Sequence, residues 1–436
     1  KEQKKRISKN LTSEISLNAL LTISQILFPP LMIMIYGLEN FGIWIFLTTI
    51  PQLLAIFNFD FNAATRTEMA IHYNNDNKEK IDVIFNNGIL ITLIFVFFLV
   101  LIGFGIINSY DFNLDILNRL NPDELNTILS CVLVSFYLNI FNSIFKTGIT
   151  YRGKLYLATY TEMFCDLFTK LLILLIGLTF KKLLFAFIVL LFVTIIKIII
   201  FYFIFLNNNK YLSLFSFNLV SKKQLLKLFK LSLPYYFESL CNILKHSSQI
   251  ILLGIFFNAQ IVGLVSTLKT LFYFLPIRIW GIILRIINYE FTKLYAKKKF
   301  NKLKNIFINF IKLGLIFVVI YVSISLAFGE YVYNLWLNNA YNFEYYLLIL
   351  IVFDSVFFIS ANSIAFINKS INKFFKISLV QFIINLAIIL ASYLFFINHQ
   401  SYLFLFLFNL FGTIIFFIYS FFYSLKLKIF TNHKLK

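Results

Sequence analysis

Residues 183–206 read LLFAFIVLLFVTIIKIIIFYFIFL, an unbroken apolar run carrying one charge, Lys197. A helix rises about 1.5 Å per residue, so this run is about 36 Å long as a helix, enough to cross a hydrocarbon core about 30 Å thick. Further windows of spanning length lie at 11–36, 41–65, 88–108, 126–147 and 156–178 before or beside it. A second set follows at 232–257, 260–285, 305–327, 344–367, 377–397 and 402–424. Twelve spans are therefore expected. A membrane barrel would show alternating segments of about ten residues, not continuous apolar runs.

Composition agrees. The 436 residues are 60% hydrophobic and 13% charged, with a mean hydropathy of +0.83. Soluble domains carry about 25% charged residues, and disorder requires still more charge and less apolar content. The reading is an all-α integral membrane protein. Cys131, Cys165 and Cys241 lie in apolar runs without CxxC or Cys/His spacing, so neither a disulfide framework nor a zinc site is expected. The basic start, Lys1 to Lys9, leads into a full-length apolar segment with no small-residue cleavage site, which argues against a signal peptide.

The charge balance, 39 Lys and Arg against 19 Asp and Glu, reports topology and not nucleic-acid binding. If the N-terminus is cytoplasmic, the inner segments are 1–10, 66–87, 148–155, 207–231, 286–304, 368–376 and the tail from 425. With Lys146 and Arg285 they hold 30 of the 39 cations, whereas the opposite loops hold Arg119, Lys181 and Lys182. The positive-inside rule then puts both termini in the cytoplasm of a plasma (inner) membrane protein. The inner loops 66–87 and 286–304 look amphipathic, with Phe291, Leu294 and Tyr295 able to share a face opposite Lys293, Lys297 and Lys298. Such a helix would lie along the headgroups; the other reading is a solvated basic loop that sets topology.

The chain also repeats. Residues 68–95, EMAIHYNNDNKEKIDVIFNNGILITLIF, match residues 290–317, EFTKLYAKKKFNKLKNIFINFIKLGLIF, at an offset of 222, pairing Glu68 with Glu290 and Tyr73 with Tyr295. Upstream the offset is 224: Glu14, Asn18, Ser24 and Gln25 fall on Glu238, Asn242, Ser248 and Gln249. The expected organisation is two pseudo-symmetric six-helix lobes, residues 1–218 and 219–436, around a central cavity. Parallel repeats of this kind are a transporter plan.

Polar residues inside spans need a reason, because a charge at a span centre costs about 2.5–3.5 kcal/mol on insertion scales. Glu14, Asn18 and Gln25 share one helical face in the first span. Glu238, Asn242 and Gln249 repeat that stripe in the seventh, where Lys245 and His246 join it. Lys269 lies at similar depth in the eighth span, and Arg278 in its inner third. One reading is a cationic, hydrogen-bonding lining; the other is local ion pairing, such as Glu238 with Lys245. Asp354 is an isolated mid-span acid, either an ion-coupling site or half of a structural pair. Pro29, Pro30, Pro51 and Pro276 interrupt spans 1, 2 and 8. No P-loop, HExxH or paired-carboxylate loop occurs, so a carrier is favoured over an enzyme and no cofactor is expected.

Residues 36–72, YGLENFGIWIFLTTIPQLLAIFNFDFNAATRTEMAIH, resemble the first hairpin of polysaccharide (O-antigen) flippases, in the superfamily that includes MATE exporters and lipid II flippases. The features are YG…FGIW before the second span, Asp60 near its inner end, and Arg66 with Glu68 opening the loop. The family commonly has Gly two residues after that Asp; here it is Asn62. The resemblance implies MATE-like lobes that carry a polyprenyl-diphosphate-linked oligosaccharide between leaflets, with membrane lipids and a polysaccharide polymerase machinery as partners. Lys245 and Lys269 would then neutralise the diphosphate and Asn18, Gln25, Asn242 and Gln249 replace the water around the sugar, with His246 and Arg278 as further substrate-binding candidates. Asp354, Glu14, Glu238 and Asp60 are the candidates for ion coupling. The alternatives are a MATE-like exporter of small cations, which would favour an acidic cavity, and a membrane polymerase or glycosyltransferase.

Overall fold

Without water to bond its peptide groups, an apolar chain must bond them internally, and helices do this within one segment. A computed structural model describes residues 2–57, 61–74, 77–109, 114–209, 212, 215–296, 300–370, 375–398 and 401–425. No strand occurs among these residues. The first elements are α1 Glu2–Tyr36, α2 Leu38–Leu54, α3 Phe61–Asn74, α4 Lys78–Ser109, α5 Pro122–Thr150, α6 Leu155–Phe180 and α7 Leu183–Asn208. There follow α8 Lys222–Asn242, α9 Ser248–Phe256, α10 Ala259–Lys269, α11 Leu275–Ala296, α12 Phe300–Leu337, α13 Tyr345–Ser370, α14 Phe375–Asn398 and α15 Leu403–Leu425.

Helix ends follow local chemistry. Pro122 opens α5, where a missing N–H is harmless, and Asp123 and Glu124 face the positive end of its dipole. Asn258 caps α10 by accepting from the Ile261 amide at 3.0 Å. Asn338 and Asn339 take left-handed conformations after α12, as Asn does more readily than most residues.

Among the described residues, eleven helices, counting α8–α9 and α10–α11 as one each, are long and apolar enough to cross a membrane. The expected second span, 41–65, is divided. Its helix α2 has 17 residues and ends in a single 3₁₀ turn, Ala55–Phe57. At about 1.5 and 2.0 Å per residue the two together reach about 31 Å, close to a bilayer core. Residues from Phe61 belong to α3.

The chain forms two compact units, Lys1–Ser239 and Leu240–Lys436, where the sequence suggested a boundary at 218/219. The difference has a visible cause. In the first unit, Asn86 accepts from the Ser216 amide at 2.7 Å, Asn87 accepts from the Ser221 amide at 2.9 Å, and Lys227 pairs with Glu68. Tyr236 donates to the Ile56 carbonyl at 2.8 Å, and Leu228 is buried with Phe61, Phe85, Phe145 and Phe205. The connection and most of α8 are thus fastened to the first unit.

The two units share five neighbour relations. In the first, α5 packs on α7, α6 on α7, α1 on α6, α4 on α5 and α1 on α2. In the second, α13 packs on α15, α14 on α15, α9 on α14, α12 on α13 and α9 on α10. These are corresponding pairs if the seventh span is counted as a second first span.

The loops read as amphipathic segments are largely parts of helices. Residues 66–74 lie within α3, 78–87 begin α4, and 286–296 end α11. Part of their apolar surface packs inside their own units: Met69, Ile81 and Ile84 in the first, and Phe291 against Leu303 and Phe366 in the second. Ile71 and Tyr73 of α3 remain exposed, and the side chains of Lys293, Leu294, Tyr295, Lys297 and Lys298 lie outside the described residues.

A buried lysine pair as the candidate functional site

Two helices of the second unit depart from α geometry, each beside a lysine. After Asn242 the chain widens into a π-helical turn, Ile243–Ser247, which contains Lys245. Thr270–Phe274 forms another directly after Lys269. Such turns insert one extra residue and are frequent at functional sites. Pro276 follows the second. It has no N–H for the Phe272 carbonyl four residues back, and the Tyr321 hydroxyl donates to that carbonyl instead.

Lys245 and Lys269 are 5% and 4% exposed. Lys245 Nζ lies 3.0 Å from Asp354 Oδ1 on α13 and donates to Thr413 Oγ1 on α15 at 2.6 Å. Thr413 lies within hydrogen-bond reach of both Asp354 Oδ1 and the Asn409 carbonyl, so its one proton has two acceptors. Lys269 Nζ donates to Gln249 Oε1 at 2.7 Å, Gln249 Nε2 to Asn409 Oδ1 at 2.6 Å, and Asn409 Nδ2 to the Leu405 carbonyl. Asn409 and Thr413, four apart on one face of α15, therefore join the two lysine sites into one polar chain.

Aromatic rings wall the cluster. The Tyr273 ring lies 5.7 Å from the Lys245 ammonium and 5.6 Å from that of Lys269, and Phe358 lies 4.8 Å from Lys245. A desolvated contact of this kind is worth about 2 kcal/mol. His246 packs edgewise on Tyr273 and Phe274. Its Nδ1 and the Tyr273 hydroxyl are buried with no hydrogen-bond partner among the described residues.

The other sequence candidates fall elsewhere. Gln249, Lys245, Lys269, His246 and Asp354 come together. Gln25 and Asn242 are exposed, and neither belongs to the cluster. For Asn242 helical geometry accounts for this: the π turn shifts the register of Gln249 relative to Asn242, so the even stripe does not persist in that span. Glu238, half-buried, belongs to the first unit, and Lys245 takes Asp354, not Glu238, as its anion. Arg278 is half-buried on α11. Glu14 and Asn18 lie on α1, but their side chains, like Asp60 altogether, are outside the described residues. Sequence reasoning missed Thr413, Asn409 and Tyr273; the i, i+4 polar pair in the apolar run 402–424 was the available signal. No group of three or more His, Cys, Asp or Glu suited to a metal occurs among the described residues.

The sequence matches the family described as "Polysaccharide biosynthesis protein" over residues 7–287, well over half of the chain. The chain belongs to this family. No curated protein sequence matches it. As a polysaccharide biosynthesis protein it has the fold of solved transporters. The lipid II flippase MurJ in an inward closed conformation superposes with a TM-score of 0.71 at 14% identity, covering 97% of this chain and 89% of MurJ. An inward-facing multidrug resistance MATE transporter of the MOP superfamily gives 0.62 at 14% identity, covering 94% and 93%. A MOP superfamily transporter from Pyrococcus furiosus gives 0.54 at 14% identity, covering 94% of each chain. At such identities the likeness speaks for the fold.

Proposed function

We propose that this polysaccharide biosynthesis protein is a flippase that moves a polyprenyl-diphosphate-linked oligosaccharide from the inner to the outer leaflet of the plasma membrane, with both termini cytoplasmic. The observation that carries the reading is the buried cluster of two lysines against one carboxylate. Burying unbalanced charge is unfavourable, so a site built this way suits an anionic guest. Ammonium groups make strong charge-assisted bonds to phosphate oxygens. Sugar hydroxyls lose water on transfer and need replacements, which amides such as Gln249 and Asn409 provide. The prenyl tail can stay in lipid. Membership of the family and the fold shared with the lipid II flippase support the same cargo class.

A MATE-like exporter of small cations is the second reading, and the cation excess of the cluster disfavours it. The test is deletion of the gene with identification of the lipids that accumulate in the inner leaflet. A lipid-linked glycan should accumulate; normal surface polysaccharide without such a lipid would overturn the reading. In complementation, Lys269→Ala should reduce transport about tenfold or more at unchanged abundance, Lys269→Arg should retain part of it, and Lys269→Glu should be worst, since repulsion adds to lost attraction.

A further inference from the structure

The two buried lysines are not equivalent. Lys245 is matched by a carboxylate, Asp354, and by the Thr413 hydroxyl. Lys269 is held by a neutral amide oxygen, that of Gln249. Resting on the functional reading above, we propose that Asp354 is an internal substitute for the cargo's anionic head. In the empty site it holds Lys245; an arriving diphosphate engages Lys269 first and then displaces Asp354 from Lys245.

Charge balance leads to this order. A diphosphate diester carries two negative charges, which two ammonium groups neutralise. Asp354 in contact with the same ammonium would add a third negative charge in a low-dielectric site, where like charges repel strongly. The carboxylate must therefore let go of Lys245 as the diphosphate binds, and it retakes Lys245 when the cargo leaves. Competition of this kind lowers affinity and speeds release, which a carrier needs.

Three further features fit an incoming anion. The Tyr273 ring contacts both ammonium groups, and its hydroxyl, buried and unpartnered, is a donor available to a phosphate oxygen. His246 Nδ1 is a second unpartnered polar atom beside it. The two π-helical turns place the looser segments of their helices at the lysines. The charged and titratable groups facing Asp354 are Lys245, Lys269, Tyr273 and Tyr321, with Thr413 bonded to it.

The experiment uses the full chain purified in detergent and measures binding of farnesyl diphosphate, with farnesol as the uncharged control and a folded-state check by circular dichroism and gel filtration. The unaltered protein should bind farnesyl diphosphate at least tenfold more tightly than farnesol, and Lys269→Gln should remove most of that preference. Asp354→Asn should raise the affinity for farnesyl diphosphate about tenfold, or about 1.4 kcal/mol, and slow its release. Lys245→Gln should lower affinity more than tenfold, because the abandoned carboxylate repels the ligand. Combining Lys245→Gln with Asp354→Asn should recover most of that loss; this double variant removes the buried ion pair as a whole and leaves neither partner unpaired. Unchanged or weaker binding by Asp354→Asn, or a double variant no better than Lys245→Gln, overturns the proposal. If the unaltered protein does not distinguish farnesyl diphosphate from farnesol, the functional reading fails as well. If it does, and only the rescue fails, the fault lies with Asp354 alone.

Discussion

In the first unit the ion pairs are more exposed: Lys146 with Glu162 is 31% and 26% exposed at its side chains, and Lys227 with Glu68 is 50% and 7%. In the second unit Lys245 and Asp354 are 5% and 11% exposed, within a closed polar chain. The helices around them have corresponding neighbours, yet the repeated stripe has diverged. At the offset of 224, Leu21 stands where the second unit has Lys245. Ser24 accepts from Lys170 at 2.7 Å, whereas Gln25 is exposed and its counterpart Gln249 is buried and doubly bonded. The lesson is that a repeated helix plan fixes which helices touch, while single substitutions decide which copy holds charge. The buried pair of lysines is therefore the property of one unit.

The comparison can be broken most directly at the ion pairs. Removing one member of a buried pair costs about 3–5 kcal/mol, whereas exposed pairs contribute about 0–1 kcal/mol. Asp354→Ala should thus lower the unfolding free energy in detergent by about 3–5 kcal/mol. Glu162→Ala should lower it by about 1 kcal/mol or less. Equal effects would mean that the second unit's pair is solvated after all.

The amides give the next contrast. Gln249→Leu leaves Lys269 without its acceptor and Asn409 without its donor, a loss of about 1.5–3 kcal/mol. Gln25→Leu at the matching position should change stability by about 0.5 kcal/mol or less, as exposed substitutions do. Thermal unfolding of the two variants side by side would sharpen the assignment of the stripe; a large effect at Gln25 would contradict its exposure.

Glycines provide the smallest contrast. A Cβ on Gly148 would fall on the ring edge of Phe205, which is locked among Phe85 and Phe145, so Gly148→Ala should cost about 1–3 kcal/mol through overpacking. At Gly412 the obstacles are Cδ1 and Cγ1 of Ile388, a half-buried aliphatic side chain with room to give, and Gly412→Ala should cost about 1 kcal/mol. Reversal of that order would show the first unit's core to be the more yielding of the two.

Much of this was legible beforehand. Runs such as 183–206 are too long and too apolar for any other fate, so the helices appear where hydropathy put them. Lys245, Lys269 and Asp354 were conspicuous because a mid-span charge is rare. Three things were not legible. The division of the second span depends on residues 55–57 closing a 3₁₀ turn. The unit boundary depends on Asn86 and Asn87 bonding a distant connection. The partner of Lys245 depends on which of Glu238 and Asp354 the packing brings near.

The amino-acid sequence by itself determined that this chain is a bundle of membrane helices, because desolvating a peptide group without a bond is costly in every fold and only internal bonding avoids it. It also determined that cations would stand at depth in the second half, since Lys245 and Lys269 can be counted along their spans. Only the tertiary structure decided that one of them meets a carboxylate and the other an amide. Those partners lie 109 and 20 residues away in the chain, and hydropathy and periodicity carry no information about which polar atoms meet across helices.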